Sequence, residues 1–163
     1  VGHRQDYWER IRRFILPKVG VFFAALEDFI GDEYYHVSEQ RRNQFVGRIE
    51  MDEESFEKIL DDWGYERNPL AWLKTRAKTG EVEEGSWRKT DGPMQVHLVL
   101  YDGKHAPNAN TGELFIYAHY EYRWDEHPIK HFNGVDVDTQ TGVQRVRKLL
   151  QEEGINYEYV QPG

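Results

Sequence analysis

Two stretches of this chain alternate between an aliphatic-rich parity and one that carries most of the polar residues, and that alternation limits the fold more than any other feature. In residues 94–101, Met94, Val96, Leu98 and Leu100 fall on one parity, and Gln95, His97, Val99 and Tyr101 on the other. Residues 114–124 place Leu114, Ile116, Ala118, Tyr120, Tyr122 and Trp124 on even positions, against Phe115, Tyr117, His119, Glu121 and Arg123 on odd ones. A period of two is the signature of a strand whose faces meet different surroundings. The intervening residues 102–112 are rich in turn formers, so the two stretches read as a hairpin with a long loop. Two strands alone are marginal in water, so this hairpin needs a wider sheet and a covering layer.

The rest of the chain supplies both. Residues 45–51 alternate as a third strand, with Phe45, Gly47, Ile49 and Met51 on one side and Val46, Arg48 and Glu50 on the other. Asp52 then offers an N-cap, and Phe56, Ile59, Leu60 and Trp63 line one face of a helix that Gly64 ends. Asn68-Pro69 signals a short helix to about Arg76, and the polar run Lys78–Gly92 reads as a loop. Residues 125–138 also read as a loop. Residues 139–153 form a helix with Val143, Val146, Leu149 and Leu150 inward, and Ile155–Val160 is a closing strand. From residue 45 the order is β-α-β-β-α-β. This predicts an α+β, ferredoxin-like split antiparallel sheet with helices on one face and strands 114–124 and 45–51 at its centre. Residues 1–43 carry an aromatic helical stripe through Tyr7, Phe14, Phe22 and Phe29, interrupted by Pro17. They are expected to form an N-terminal helical extension to a domain spanning 44–163.

Composition narrows the function classes. The 163 residues carry a net charge of −8 with the acidic groups dispersed. A protein that binds nucleic acid without sequence preference must neutralise phosphates with Lys and Arg, so a nucleic-acid partner is disfavoured. There is no cysteine, which excludes disulfides and thiolate chemistry. No leader peptide is visible, and the longest apolar run, Val19–Leu26, is far short of the ~20 residues that span a bilayer. These features predict a soluble cytoplasmic protein that does not enter membranes. Aromatic residues make up 14% of the chain, enough large side chains to build a core from few members.

Five of the seven histidines lie between residues 97 and 131: His97, His105, His119, His127 and His131. If Leu98 and Leu100 share a face with Ile116 and Ala118, then His97, His119, Gln95 and Glu121 share the opposite one. Arg48, Glu50 and Arg123 are expected there too. Imidazole is the commonest side-chain metal ligand. A divalent metal held by His97, His119, Glu121 and the loop residue His131 is therefore one expectation. The plain alternative is a polar face covered by another part of the chain, for which the N-terminal segment is the obvious lid. His127-Pro-Ile-Lys-His131 contains a proline, so its two histidines are not expected to share one helical face.

The tripeptide His119-Tyr-Glu121 resembles the His-hydrophobic-His motif of rolling-circle replication nucleases, in which the second His is replaced in some relatives. That resemblance implies a metal ion on a sheet of related topology and a nucleophilic tyrosine on a following helix. Residues 139–153 contain no tyrosine. Phosphate-binding glycine motifs are absent, and Ser38, Ser55 and Ser86, the three serines, sit in no Gly-x-Ser-x-Gly elbow. The leading expectation is a non-enzymatic binding or regulatory module that self-associates or docks a protein partner. The alternative is a divalent-metal-dependent hydrolase or nuclease using the His/Glu cluster on the open sheet face.

Overall fold

The structure is a computed structural model that describes residues 42–67, 85–102 and 112–159. The expected N-terminal helices, the helix after Asn68-Pro69, the loop holding His105 and the last residues of the closing strand lie outside the described residues. Within them, the strands are β1 (Phe45–Glu50), β2 (Glu66–Arg67), β3 (Gly85–Asp91), β4 (Met94–Asp102) and β5 (Glu113–Tyr122). The α-helices are α1 (Glu53–Asp62), α2 (Pro128–Phe132) and α3 (Thr139–Glu152), and a 3-10 turn at Arg42–Gln44 leads into β1.

The strands form one five-stranded antiparallel sheet in the order β1-β5-β4-β3-β2, so the architecture is mixed α+β. Its centre is the β4–β5 hairpin. Leu98 pairs with Ala118 and Leu100 with Ile116, which fixes the parity of every side chain on both strands. The apolar parity faces α1 and α3. Phe56 and Leu60 of α1 and Val143, Val146 and Leu150 of α3 close over Val96, Leu98, Leu100, Leu114, Ile116 and Ala118 in one core. Both helices start on an aspartate. Asp52 accepts from Ser55 N at 2.9 Å and Asp138 from Thr141 N at 2.9 Å. Each thereby satisfies one backbone donor that a helix start leaves open.

Several expectations are corrected. The region read as a loop over 78–92 contains β3. Lys89, Thr90 and Asp91 disguise it, but Trp87 is buried in the core opposite Leu98, and Gly92 at φ +59° turns the chain into β4. The closing strand is reduced to a single bridge between Glu158 and Arg48. Trp124 leaves the sheet for a turn after β5 and is half exposed. In β1 the expected alternation breaks at a bulge between Phe45 and Gly47. The extra residue lets Val46 and Ile49 share the first core while Phe45 joins Val99, Tyr101, Phe115 and Tyr117 on the opposite face. The loop 125–138 holds α2. Pro128 occupies its first turn, where a missing N–H costs nothing. The second face is therefore not free of helices, because α2 turns His131 onto it. Among the described residues no helix is long and apolar enough to cross a membrane.

Candidate metal centre

The register that buries the leucines also joins the histidines. His97 stands directly opposite His119 across the β4–β5 pair, and Gln95 opposite Glu121. All four point to the face away from α1 and α3, and all are buried, with Glu121 only 1% exposed. The two imidazoles meet edge to face with centroids 4.8 Å apart. His97 Nδ1 lies 3.2 Å from His119 Nε2 and 3.3 Å from Glu121 Oε1, and His119 Nε2 lies 3.1 Å from Glu121 Oε2. One donor atom from each of His97, His119 and Glu121 falls within 4.8 Å of the others.

Gln95, Ser86 and His131 lie against this trio, and Arg88 stands directly opposite His97 across the β3–β4 pair. Gln95 Nε2 donates to Glu121 Oε1 at 2.9 Å. Ser86 on β3, diagonal to His97 across the β3–β4 pair, places Oγ 2.6 Å from His97 Nε2. His131, brought in by α2, has Nδ1 3.0 Å from the Tyr122 carbonyl oxygen and 3.2 Å from Glu121 Oε2. A carbonyl only accepts, so Nδ1 of His131 carries its proton and serves both oxygens as a donor. Of the four expected ligands, His97, His119 and Glu121 converge through their donor atoms. His131 instead faces the carboxylate through an N–H.

Backbone packing holds the trio from behind. The His119 side chain points away from α3, so its backbone is what α3 meets. A Cβ on Gly142 would fall inside contact distance of His119 N, at 2.8 Å, and still closer to its Cα and carbonyl carbon. Only glycine lets the helix come this near. One residue further on, Tyr120 and Asp138 exchange both backbone hydrogen bonds, at 2.9 and 2.8 Å. The strand end carrying His119 and Glu121 is thus pinned by the start of α3.

The charge state suits a ligand carboxylate. Burial pushes the Glu121 carboxyl up, but the His119 and His97 imidazoles outweigh it and hold the group well below the usual carboxylate range. Burial pulls the His131 imidazole below its ordinary value, against the opposing pull of Glu121 and the Tyr122 carbonyl. The centre therefore holds one buried carboxylate among imidazole donors.

Other expected members lie elsewhere. Arg48 shares the face but pairs with Glu113 at 3.2 Å and with Glu158. Arg123 pairs with Asp125 at 2.5 Å and Glu126 at 2.9 Å. The His127 ring packs edge-on against Tyr122, away from the carboxylate that His131 reaches. Ser86 is the residue that sequence reasoning missed as a site member, because it sat in the supposed loop. Its signal was Trp87 followed at short range by the turn former Gly92-Pro93. The chain matches no family model, no curated protein and no solved structure.

Proposed function

We propose that this protein is a non-enzymatic binding module whose ligand is a divalent transition-metal ion of the zinc class, held by His97, His119 and Glu121. The observation that carries this reading is that His97 Nδ1, His119 Nε2 and the two Glu121 oxygens meet at 3.1–3.3 Å, with one donor atom from each residue within 4.8 Å of the others. Ligands about 2.0–2.1 Å from a tetrahedral zinc lie about 3.3–3.4 Å from one another. Hydrogen bonds alone give similar distances, so the decisive property is ion uptake. One carboxylate among imidazoles suits a borderline ion. Calcium and magnesium take mainly oxygen ligands, commonly six to eight for calcium. The burial of the trio supports a structural or regulatory role over a catalytic one, which needs a position that substrate can reach.

A metal-dependent hydrolase is the second reading. It is favoured by the ligand count, since three protein ligands plus one exogenous group is the pattern of hydrolytic zinc sites. Adjacency of β1, β5 and β4, with Glu158 bridged to the outer edge of β1, supports a ferredoxin-like derivation of the sheet, extended by β2 and β3. Exposed Trp124, Ile129 and Val135 on one short segment support self-association or a protein partner. A cytoplasmic location belongs to the same proposal.

The test is elemental analysis and zinc titration of the full chain purified without a polyhistidine tag. One zinc per chain, lost in His119→Ala, is the expected result. A wild-type protein that takes up no zinc, cobalt or manganese ends this reading.

A further inference from the structure

The proposed metal centre leaves one question that its own geometry addresses: which nitrogen of His97 faces the ion, and what keeps it there. The two ring nitrogens have different surroundings. Nε2 is 2.6 Å from Ser86 Oγ, while Nδ1 faces His119 Nε2 at 3.2 Å and Glu121 Oε1 at 3.3 Å. A nitrogen that carries a proton cannot ligate, and the hydrogen bond made by one ring nitrogen sets the state of the other. A hydroxyl can accept as well as donate. We infer that Ser86 is a positioning residue for the metal centre: it accepts the Nε2–H of His97 and thereby presents the Nδ1 lone pair to an ion shared with His119 and Glu121.

This rests on the metal reading above and adds to it a defined tautomer and a mixed ligand set, Nδ1 from His97 and Nε2 from His119. Two further observations favour it. Ser86 is fully buried, and it sits on β3 paired to β4 rather than on a loop, which fixes its backbone beside the strand that carries His97. The register makes Ser86 diagonal to His97, within side-chain reach on a shared face. The order Ser86, His97, Glu121 is also that of a hydroxyl nucleophile, its base and an orienting carboxylate. In that arrangement Nε2 accepts from Ser86 and Nδ1 carries the proton, the reverse of the assignment made here. A serine with no exposed surface suits the positioning role and not attack on a substrate.

The experiment uses the full chain with Zn²⁺ as the only added ligand. Long-range ¹H–¹⁵N spectra of the zinc-loaded protein are expected to show His97 protonated at Nε2 and metal-shifted at Nδ1. Ser86→Ala is expected to weaken zinc binding about 10–100-fold, the range typical of groups that orient a ligand, with recovery in Ser86→Thr. If neither variant folds, the wild-type spectrum decides by itself. A proton on His97 Nδ1 in the loaded protein overturns the inference. So does Ser86→Ala zinc affinity equal to wild type while His119→Ala has lost it, and that result leaves the metal reading standing. Covalent labelling of Ser86 by a fluorophosphonate overturns it in favour of the nucleophile arrangement. A wild-type chain that takes up no zinc overturns both readings together.

Discussion

At the scale of single residues, Glu121 is the group on which the buried face depends. It is the carboxylate toward which Gln95, His97, His119 and His131 all turn. Glu121→Gln keeps the shape but removes the charge. Its zinc affinity should fall by more than ~10-fold, the lower bound for residues that merely support ligands, as isothermal titration would record. Glu121→Ala removes the acceptor altogether and strands buried donors. A loss of roughly 3 kcal/mol or more is expected in urea unfolding of the metal-free chain. Gly142 acts on the same site from the other side of the sheet. Gly142→Ala forces a methyl against the His119 backbone and should cost about 1–3 kcal/mol by the same measurement, as overpacking does. The parity of His97, His119 and Glu121 was legible from alternation alone. The roles of Ser86 and Gly142 were not, because each acts through a residue distant in sequence.

Elements carry the next level of argument. The α3 start fastens β5 through Asp138, whose side chain caps the helix while its backbone pairs with Tyr120. Asp138→Ala should cost about 1 kcal/mol, as capping residues do, and the thermal midpoint should fall accordingly. The same cap gives a pH dependence. Hydrogen bonds from Thr141 hold the Asp138 carboxyl below its ordinary value, and Ser55 does the same for Asp52. A carboxylate whose pKa is lower folded than unfolded stabilises the fold above the unfolded value, about 3.9. That contribution is lost as pH falls through the lowered folded value. The share of stability that these caps supply should therefore be lost mainly below about pH 4 in unfolding midpoints measured from pH 6 to pH 2, and that loss should be smaller in Asp138→Asn, which keeps a capping group that does not titrate. Helices α1 and α3 and strands β4 and β5 were all visible in the sequence through their periodicity. Strand β3 was hidden because its outer half is polar, and α2 because Pro128 read as a breaker when it stands at a helix start.

At the scale of the fold, the described residues form one sheet with two differently filled faces. The first is an aliphatic core under α1 and α3, and the second combines the aromatic group around Phe45 and Tyr117 with the histidine centre. Leu98 and Ile116 are fully buried at the middle of the first face. Leu98→Ala or Ile116→Ala should cost about 2–5 kcal/mol in urea unfolding. Trp124→Ala, at a half-exposed turn position, should stay within about 0.5 kcal/mol of wild type, the usual range for surface changes. The sequence by itself determined the α+β class, the parity of the two long strands and hence which histidines share a face, because side-chain alternation is a local property of an extended chain. Tertiary structure alone decided that five strands align, that a bulge rephases β1, that Ser86 and His131 reach the centre, and that the centre is buried. Those outcomes depend on pairing between segments far apart in the chain and on the close approach of α3 at Gly142. No local pattern encodes the partner of a strand or the distance between a helix and a sheet.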